Sequence, residues 1–126
     1  MPPVVRAAIG GSGLIVGVAR FDHSGRIGER WLMEALGWPP GARYELLVES
    51  DRATVSLSAE GKGRIDSRGY VGVRAGTRDL LGIRKGDPVV LVARLDLGVL
   101  IIHPMRVVAD LVARYYSCMD GVTDGL

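Results

Sequence analysis

Arginine is the residue type in this chain best equipped to recognise a partner. Fourteen of the 16 basic residues are arginine, and Lys62 and Lys85 are the only lysines. A guanidinium group presents a planar fork of donors that suits phosphate or a guanine edge, where an ammonium acts only as a point charge. The formal net charge is only +2, so most of this basic character is balanced by acids. GC-rich coding also enriches arginine, and composition alone does not separate the two origins. The other reactive side chains are few and scattered. His23 beside Asp22 has the types of a base and its orienter, but adjacent residues on a turn diverge. His103 precedes Pro104 at the end of an apolar run, where capping or packing suits it better. Two histidines and the single Cys118 give no metal-ligand spacing. "GGSG" at Gly10 to Gly13 lacks the Lys-Ser/Thr of a phosphate-binding loop and reads as a turn or flexible lead-in. The expectation is a protein that is not an enzyme and needs neither cofactor nor metal.

The elements that position the arginines come from a duplication. Shifting the chain by 44 positions places Asp22 on Asp66, Gly25 on Gly69, Gly28 on Gly72 and Arg30 on Arg74. After one inserted residue the shift is 45, which aligns Leu36 with Leu81, Gly37 with Gly82, Leu46 with Leu91 and Val55 with Leu100. Glycines and apolar residues that recur in order mark a repeated supersecondary unit. Each copy has a strand-like approach, "LIVGVARF" or "KGRI", then an Asp-x-x-Gly stretch suited to a tight turn. A short return strand follows, then a helix of about two turns ending at Gly37 or Gly82, each fit for a left-handed terminal position. Two further strands form a hairpin, through Ser50-Asp51 in the first copy and Asp96 to Gly98 in the second. One such unit buries too little surface to stand alone, whereas two can interleave their hairpins around one core. At 126 residues and 48% hydrophobic content, the chain is long enough for that one core. Aromatics make up only 6%, which argues against stacking platforms for single-stranded nucleic acid.

The patterns "D-x-x-G-R-I-x-x-R…L-x-x-L-G-W-x-x-G" and "D-x-x-G-x-V-x-V-R…R-D-L-L-G-I-R-K-G-D-x-V" resemble the AbrB/MazE/SpoVT swapped-hairpin family of transition-state regulators and antitoxins. The resemblance covers about Val18 to Pro104 and is clearer in the second copy. It implies a mainly β fold, a swapped-hairpin β-barrel made from two β-β-α-β-β repeats in one chain, as in MraZ-like regulators. The expected units are a lead-in over 1–13, repeats over 14–58 and 62–104, and a helix over 105–119. The resemblance also implies binding of duplex DNA, with Arg20, Arg26 and Arg30 of the first copy and Arg64, Arg68, Arg74 and Arg78 of the second facing it. Two similar basic patches would suit an imperfect inverted repeat. The alternative is a solvated rim of surface pairs such as Arg30 with Glu34 or Arg78 with Asp79. The copies also depart from the family pattern. Tyr70 stands where the first copy has Arg26, the usual helix-opening proline is absent from both, and Glu29 brings negative charge near the implied DNA face.

Beyond the repeats, "PMRVVADLVARYYSCM" has helical periodicity. Val107, Val108, Leu111, Val112 and Tyr115 share one face, opposite Arg106, Asp110 and Arg114. Periodicity favours packing of that face on the chain's own barrel, with Pro104 in the first turn and "DGVTDGL" a frayed tail. The other reading is a contact for a homodimer or a partner protein. Trp31 and Trp38 flank the first helix and are expected in the core. The segment Leu14 to Ala19 is too short for an export signal, and no run approaches the ~20 apolar residues of a membrane span. A cytoplasmic protein is expected, consistent with one unpaired cysteine.

Overall fold

The computed structural model describes residues 13–124. The first copy contains β1 (Leu14–Arg20), β2 (Arg26–Ile27), α1 (Arg30–Leu36), β3 (Arg43–Val48) and β4 (Ala53–Leu57). The second contains β5 (Gly63–Arg64), β6 (Val71–Gly72), α2 (Ala75–Leu80), β7 (Pro88–Arg94) and β8 (Val99–Pro104), followed by α3 (Met105–Asp124). The two copies therefore share one order of elements. The lead-in expected over residues 1–13 lies outside the described residues except for Gly13, whose carbonyl accepts the Leu95 N–H at 2.9 Å.

The pairing shows why one copy is insufficient. Only the hairpins β3–β4 and β7–β8 pair within a copy; β1–β7, β3–β5, β4–β8 and β2–β6 all join one copy to the other. The result is a six-stranded antiparallel sheet in the order β1-β7-β8-β4-β3-β5 and a separate two-stranded ribbon, β2-β6. Equivalent residues face each other across the join: Ile27 opposes Val71 and Val55 opposes Leu100. This register relates the copies by a local two-fold axis. The mainly β expectation holds, with its terminal helix; the strand pairings by themselves do not show the sheet closed into a ring.

Alternation along the strands fixes the interior. In β8, Leu100 and Ile102 are fully buried while Ile101 and His103 are partly exposed, and Leu91 and Val89 of β7 meet them from the same side. Ile27 and Val71 of the ribbon, Leu32 of α1 and Leu81 after α2 join the same cluster. Each fully buried aliphatic side chain contributes about 1.5–3 kcal/mol relative to exposure. Trp38 belongs to this cluster, but Trp31 is 43% exposed, so only one of the two tryptophans serves the core. Position explains the difference. Trp31 lies one residue before the buried Leu32 on a two-turn helix, which has room for only one buried face.

α3 departs from expectation in two ways. It runs to Asp124, five residues past the expected end, with Gly121 inside it despite that residue's low helix propensity. It also packs on the sheet only through its first turn, where Val107 and Val108 are half-buried and Arg106 Nη2 donates to the Ser50 and Leu81 carbonyls at 3.0 and 3.3 Å. Every residue from Ala109 to Asp120 is exposed. Pro104 closes β8 and Met105 opens α3, so no loop turns the chain back over the sheet. Among the described residues, no helix is long and apolar enough to cross a membrane.

Candidate functional site

The β2–β6 ribbon brings the two Asp-x-x-Gly turns together. In each turn the aspartate closes its own loop. Asp22 Oδ1 accepts the Ser24 and Arg26 N–H groups at 2.9 and 3.0 Å, and Asp66 Oδ1 accepts those of Arg68 and Tyr70 at 2.9 Å each. Gly25 and Gly69 supply the left-handed residue at φ 79° and 85°. One side chain then spans the turns: Arg68 Nη2 donates to Asp22 Oδ2 at 2.9 Å and to Asp66 Oδ2 at 3.0 Å. Arg68 also stacks on the Tyr70 ring at 4.3 Å. The Arg26 amide, the Ser24 hydroxyl and the Arg68 guanidinium hold Asp22 well below the usual carboxylate range. Burial pushes Asp66 upward, but the Tyr70 amide and Arg68 together outweigh it, and the net direction is also downward. The same bonds to Asp22 and Asp66 raise Arg68 further into its charged form.

The seven arginines meet different fates. Arg68 is committed to the two aspartates. Arg26 is half-buried, its Nη1 3.9 Å from Asp66 Oδ2 and without a hydrogen-bond partner among the described residues. Arg30 pairs with Glu34 at 3.1 Å, the surface pair anticipated from spacing. Arg78 does not pair with Asp79. It donates to the Val73 carbonyl at 3.1 Å and lies over the Phe21 ring at 5.5 Å, because α2 turns it back toward the first copy. Arg20 donates to the Gly86 carbonyl at 3.0 Å and has no acidic partner among the described residues. Arg64 and Arg74 are exposed and likewise unpaired.

Two open grooves flank the ribbon. One, of about 600 Å³, gathers Arg26, Lys62 and Arg74 with Ser24 and Thr77, and carries Glu45 and Glu60 on its wall. The other, of about 560 Å³, is lined by Arg30, Glu34, Arg68 and Tyr70. Arg30 and Arg74 are repeat equivalents, as are Arg26 and Tyr70, so the grooves are related by the same local two-fold. Their chemistry differs: in the first, Lys62 and Arg74 have no acidic partner among the described residues and Arg26 is only loosely paired with Asp66, whereas the second holds arginines already engaged by Glu34, Asp22 and Asp66. Among the described residues no group of His, Cys, Asp and Glu could hold a metal ion. His23 is exposed, and His103 Nδ1 lies 3.3 Å from the Asp51 carbonyl. No protein-family model matches the chain, and no match is found among the curated proteins or the solved structures.

Several residues that shape the site carry little sequence signal. Glu29 is not on the implied DNA face. It is 4% exposed and caps α1, its carboxylate accepting the Trp31 and Leu32 N–H groups at 3.2 and 3.0 Å. Glutamate is an uncommon cap, so the usual Ser/Thr/Asp/Asn signal was missing. Tyr44 is buried beneath Gly63, where any Cβ would collide with its ring. Its hydroxyl donates to the Gly72 carbonyl and accepts the Gly72 N–H, both at 2.8 Å, and so ties β3 to the ribbon. Tyr70 takes the place of Arg26's equivalent and covers Gly28, where a Cβ would strike its ring. The glycines at 28, 61 and 63 were the only available hint of these close approaches.

Proposed function

We propose that the chain is a fused swapped-hairpin barrel of the AbrB/MazE/SpoVT kind that binds duplex DNA as a small cytoplasmic transcription regulator. The observation that carries this reading is the groove beside β6. Arg26 of β2, Lys62 just before β5 and Arg74 just before α2 converge there, and Lys62 and Arg74 have no acidic partner among the described residues. Exposed Arg64 adjoins Gly63 on its wall, and Ser24 and Thr77 offer hydroxyl donors. Cations and hydroxyls bordering a rigid ribbon suit the phosphate backbone, which sets register, with guanine contacts adding sequence preference. Arg68 acts in this reading as the clasp that holds the two turns, not as a DNA contact. The halves are therefore unequal, and the second supplies most of the contact. Closure of the six strands into a barrel is part of the same proposal, supported by the single core shared by sheet, ribbon and helices.

The test is fluorescence anisotropy on duplex DNA across a salt series. Specific or non-specific, binding should weaken linearly on a log–log plot, with a slope of about 0.9 per phosphate neutralised. Arg64→Ala and Arg74→Ala should each reduce that slope by roughly one contact, whereas Arg30→Ala should change it little. Weak, salt-insensitive binding by the wild-type chain would sink the reading.

A second reading is an antitoxin-like or scaffold interaction module whose main partner is a protein. It is favoured by α3, whose apolar residues Leu111, Val112, Tyr115 and Tyr116 are between 48% and 60% exposed. Under that reading DNA binding is weak at every salt concentration, and α3 variants abolish the function.

A further inference from the structure

We propose that α3 is a self-association element, pairing antiparallel with α3 of a second copy of this chain. The inference rests on α3 alone and stands apart from DNA binding. At 3.6 residues per turn, Val108, Leu111, Val112, Tyr115, Cys118 and Met119 fall on one half of the helix. Arg106, Asp110, Arg114 and Asp120 fall on the other, so the apolar half carries no charge over about three turns. Leu111, Val112, Tyr115, Tyr116 and Met119 are between 48% and 60% exposed. A patch of that kind on a surface helix marks an interaction site.

The occupant is argued from area and shape. The five exposed side chains present roughly 500 Å² per copy, so two copies face to face bury about 1,000 Å², the lower bound for a specific interface. An antiparallel register centred between Ala113 and Arg114 sets Val112 against Tyr115 of the second copy, and Val108 against its Met119. On the flanks, Leu111 meets Cys118 of the second copy, and Tyr116 meets its Ala109. Each layer thus combines a large side chain with a smaller or branched one, as interdigitated helix packing requires. A parallel arrangement would instead place Tyr115 against Tyr115 and leave Val112 against Val112, one layer crowded and the next thin. The helix runs through Asp124, and every residue from Ala109 to Asp120 is exposed, so this stretch presents its apolar face to a second copy.

Sedimentation velocity on the full-length chain at micromolar concentration tests the proposal. The wild type should sediment as a dimer. Leu111→Asp and Tyr115→Glu should each weaken self-association by roughly tenfold or more, since each buries two uncompensated charges in the pair. Circular dichroism should be unchanged in both, because neither side chain contributes to the core. Register is tested with Leu111→Cys. Under a mild oxidant that takes up the two thiol hydrogens, the new thiol should link to native Cys118 of the second copy. Within one helix those positions are about 10 Å apart, too far for an intrachain disulfide. A monomeric wild type overturns the proposal, as does a dimer insensitive to both charged variants. Binding of a different protein to α3 by a chain that is monomeric alone also overturns it. Efficient Cys118-to-Cys118 linkage in the wild type would overturn the antiparallel register. DNA binding is read separately through Arg64→Ala and Arg74→Ala, so the two failures are distinguishable.

Discussion

At the residue scale, the paired turns concentrate charge whose effect on stability has a definite sign. Asp22 and Asp66 both titrate lower in the folded chain than a free aspartate. A depressed folded-state value contributes stability that is fully present above the unfolded value, near 4, and is lost as pH falls through the folded value. Urea midpoints should therefore hold steady from neutral pH down to about 4 and decline below it. The double variant Asp22→Asn/Asp66→Asn should show a flatter acid limb, and an unchanged limb would assign the acid sensitivity elsewhere. Tyr44 offers a second test at this scale. Tyr44→Phe keeps the ring beneath Gly63 but removes the oxygen that serves both the N–H and carbonyl of Gly72. The expected loss is about 1 kcal/mol by chemical denaturation, the lower end of the range for unsatisfied backbone groups, because the Gly72 groups are only part-buried.

At the element scale, the helices are too short to stand without their ends. α1 has only seven residues, and isolated helices below ~12 residues are marginal in water. Its N-terminus depends on Glu29 and its C-terminus on Gly37, which sits at φ 69° and returns its N–H to the Met33 carbonyl. Glu29→Ala should cost about 1–2 kcal/mol, combining a lost cap with two amide groups left without an acceptor. Gly37→Ala isolates the backbone term, since nothing lies within 4 Å of the added carbon. Its expected cost is about 1–2 kcal/mol, the penalty of an L-residue in the left-handed region. Thermal melts of the two variants would check both figures. α2 differs: Arg74 precedes it with no side-chain cap, so that guanidinium is left available to the groove.

At the scale of the whole molecule, four of the six strand pairings cross between copies. Either copy alone would expose both its hairpin edges and half of the shared core. Residues 14–58 and 62–104 expressed as separate chains should each lack cooperative unfolding, and mixing them should restore it. Circular dichroism and thermal melts would show this, and a cooperative transition in either fragment alone would count against the interleaved architecture. The same interleaving brings the turn of the first copy beside that of the second, so the site belongs to neither copy alone.

Much of this was legible in the chain itself. The repeat, the Asp-x-x-Gly turns, the Gly37 and Gly82 helix ends and the apolar alternation all report local geometry, which depends on residues a few positions apart. A mainly β fold with one core shared by two incomplete units was expected from them; the six-strand order was not, because most of its pairings join residues far apart in the chain. The resemblance supplied the positions of seven arginines, but their availability was decided by partners distant in sequence: Arg68 by Asp22, Arg20 by Gly86, Arg78 by Phe21 and Val73. Tyr44 and Lys62 entered the site for the same reason. The periodicity of α3 revealed an apolar face but not its fate, because a hydrophobic pattern records what is to be covered and not by what. Sequence determined the unit and its duplication; only the tertiary structure determined which guanidinium groups lack an acidic partner among the described residues and which helix face stays exposed, since both depend on long-range proximity.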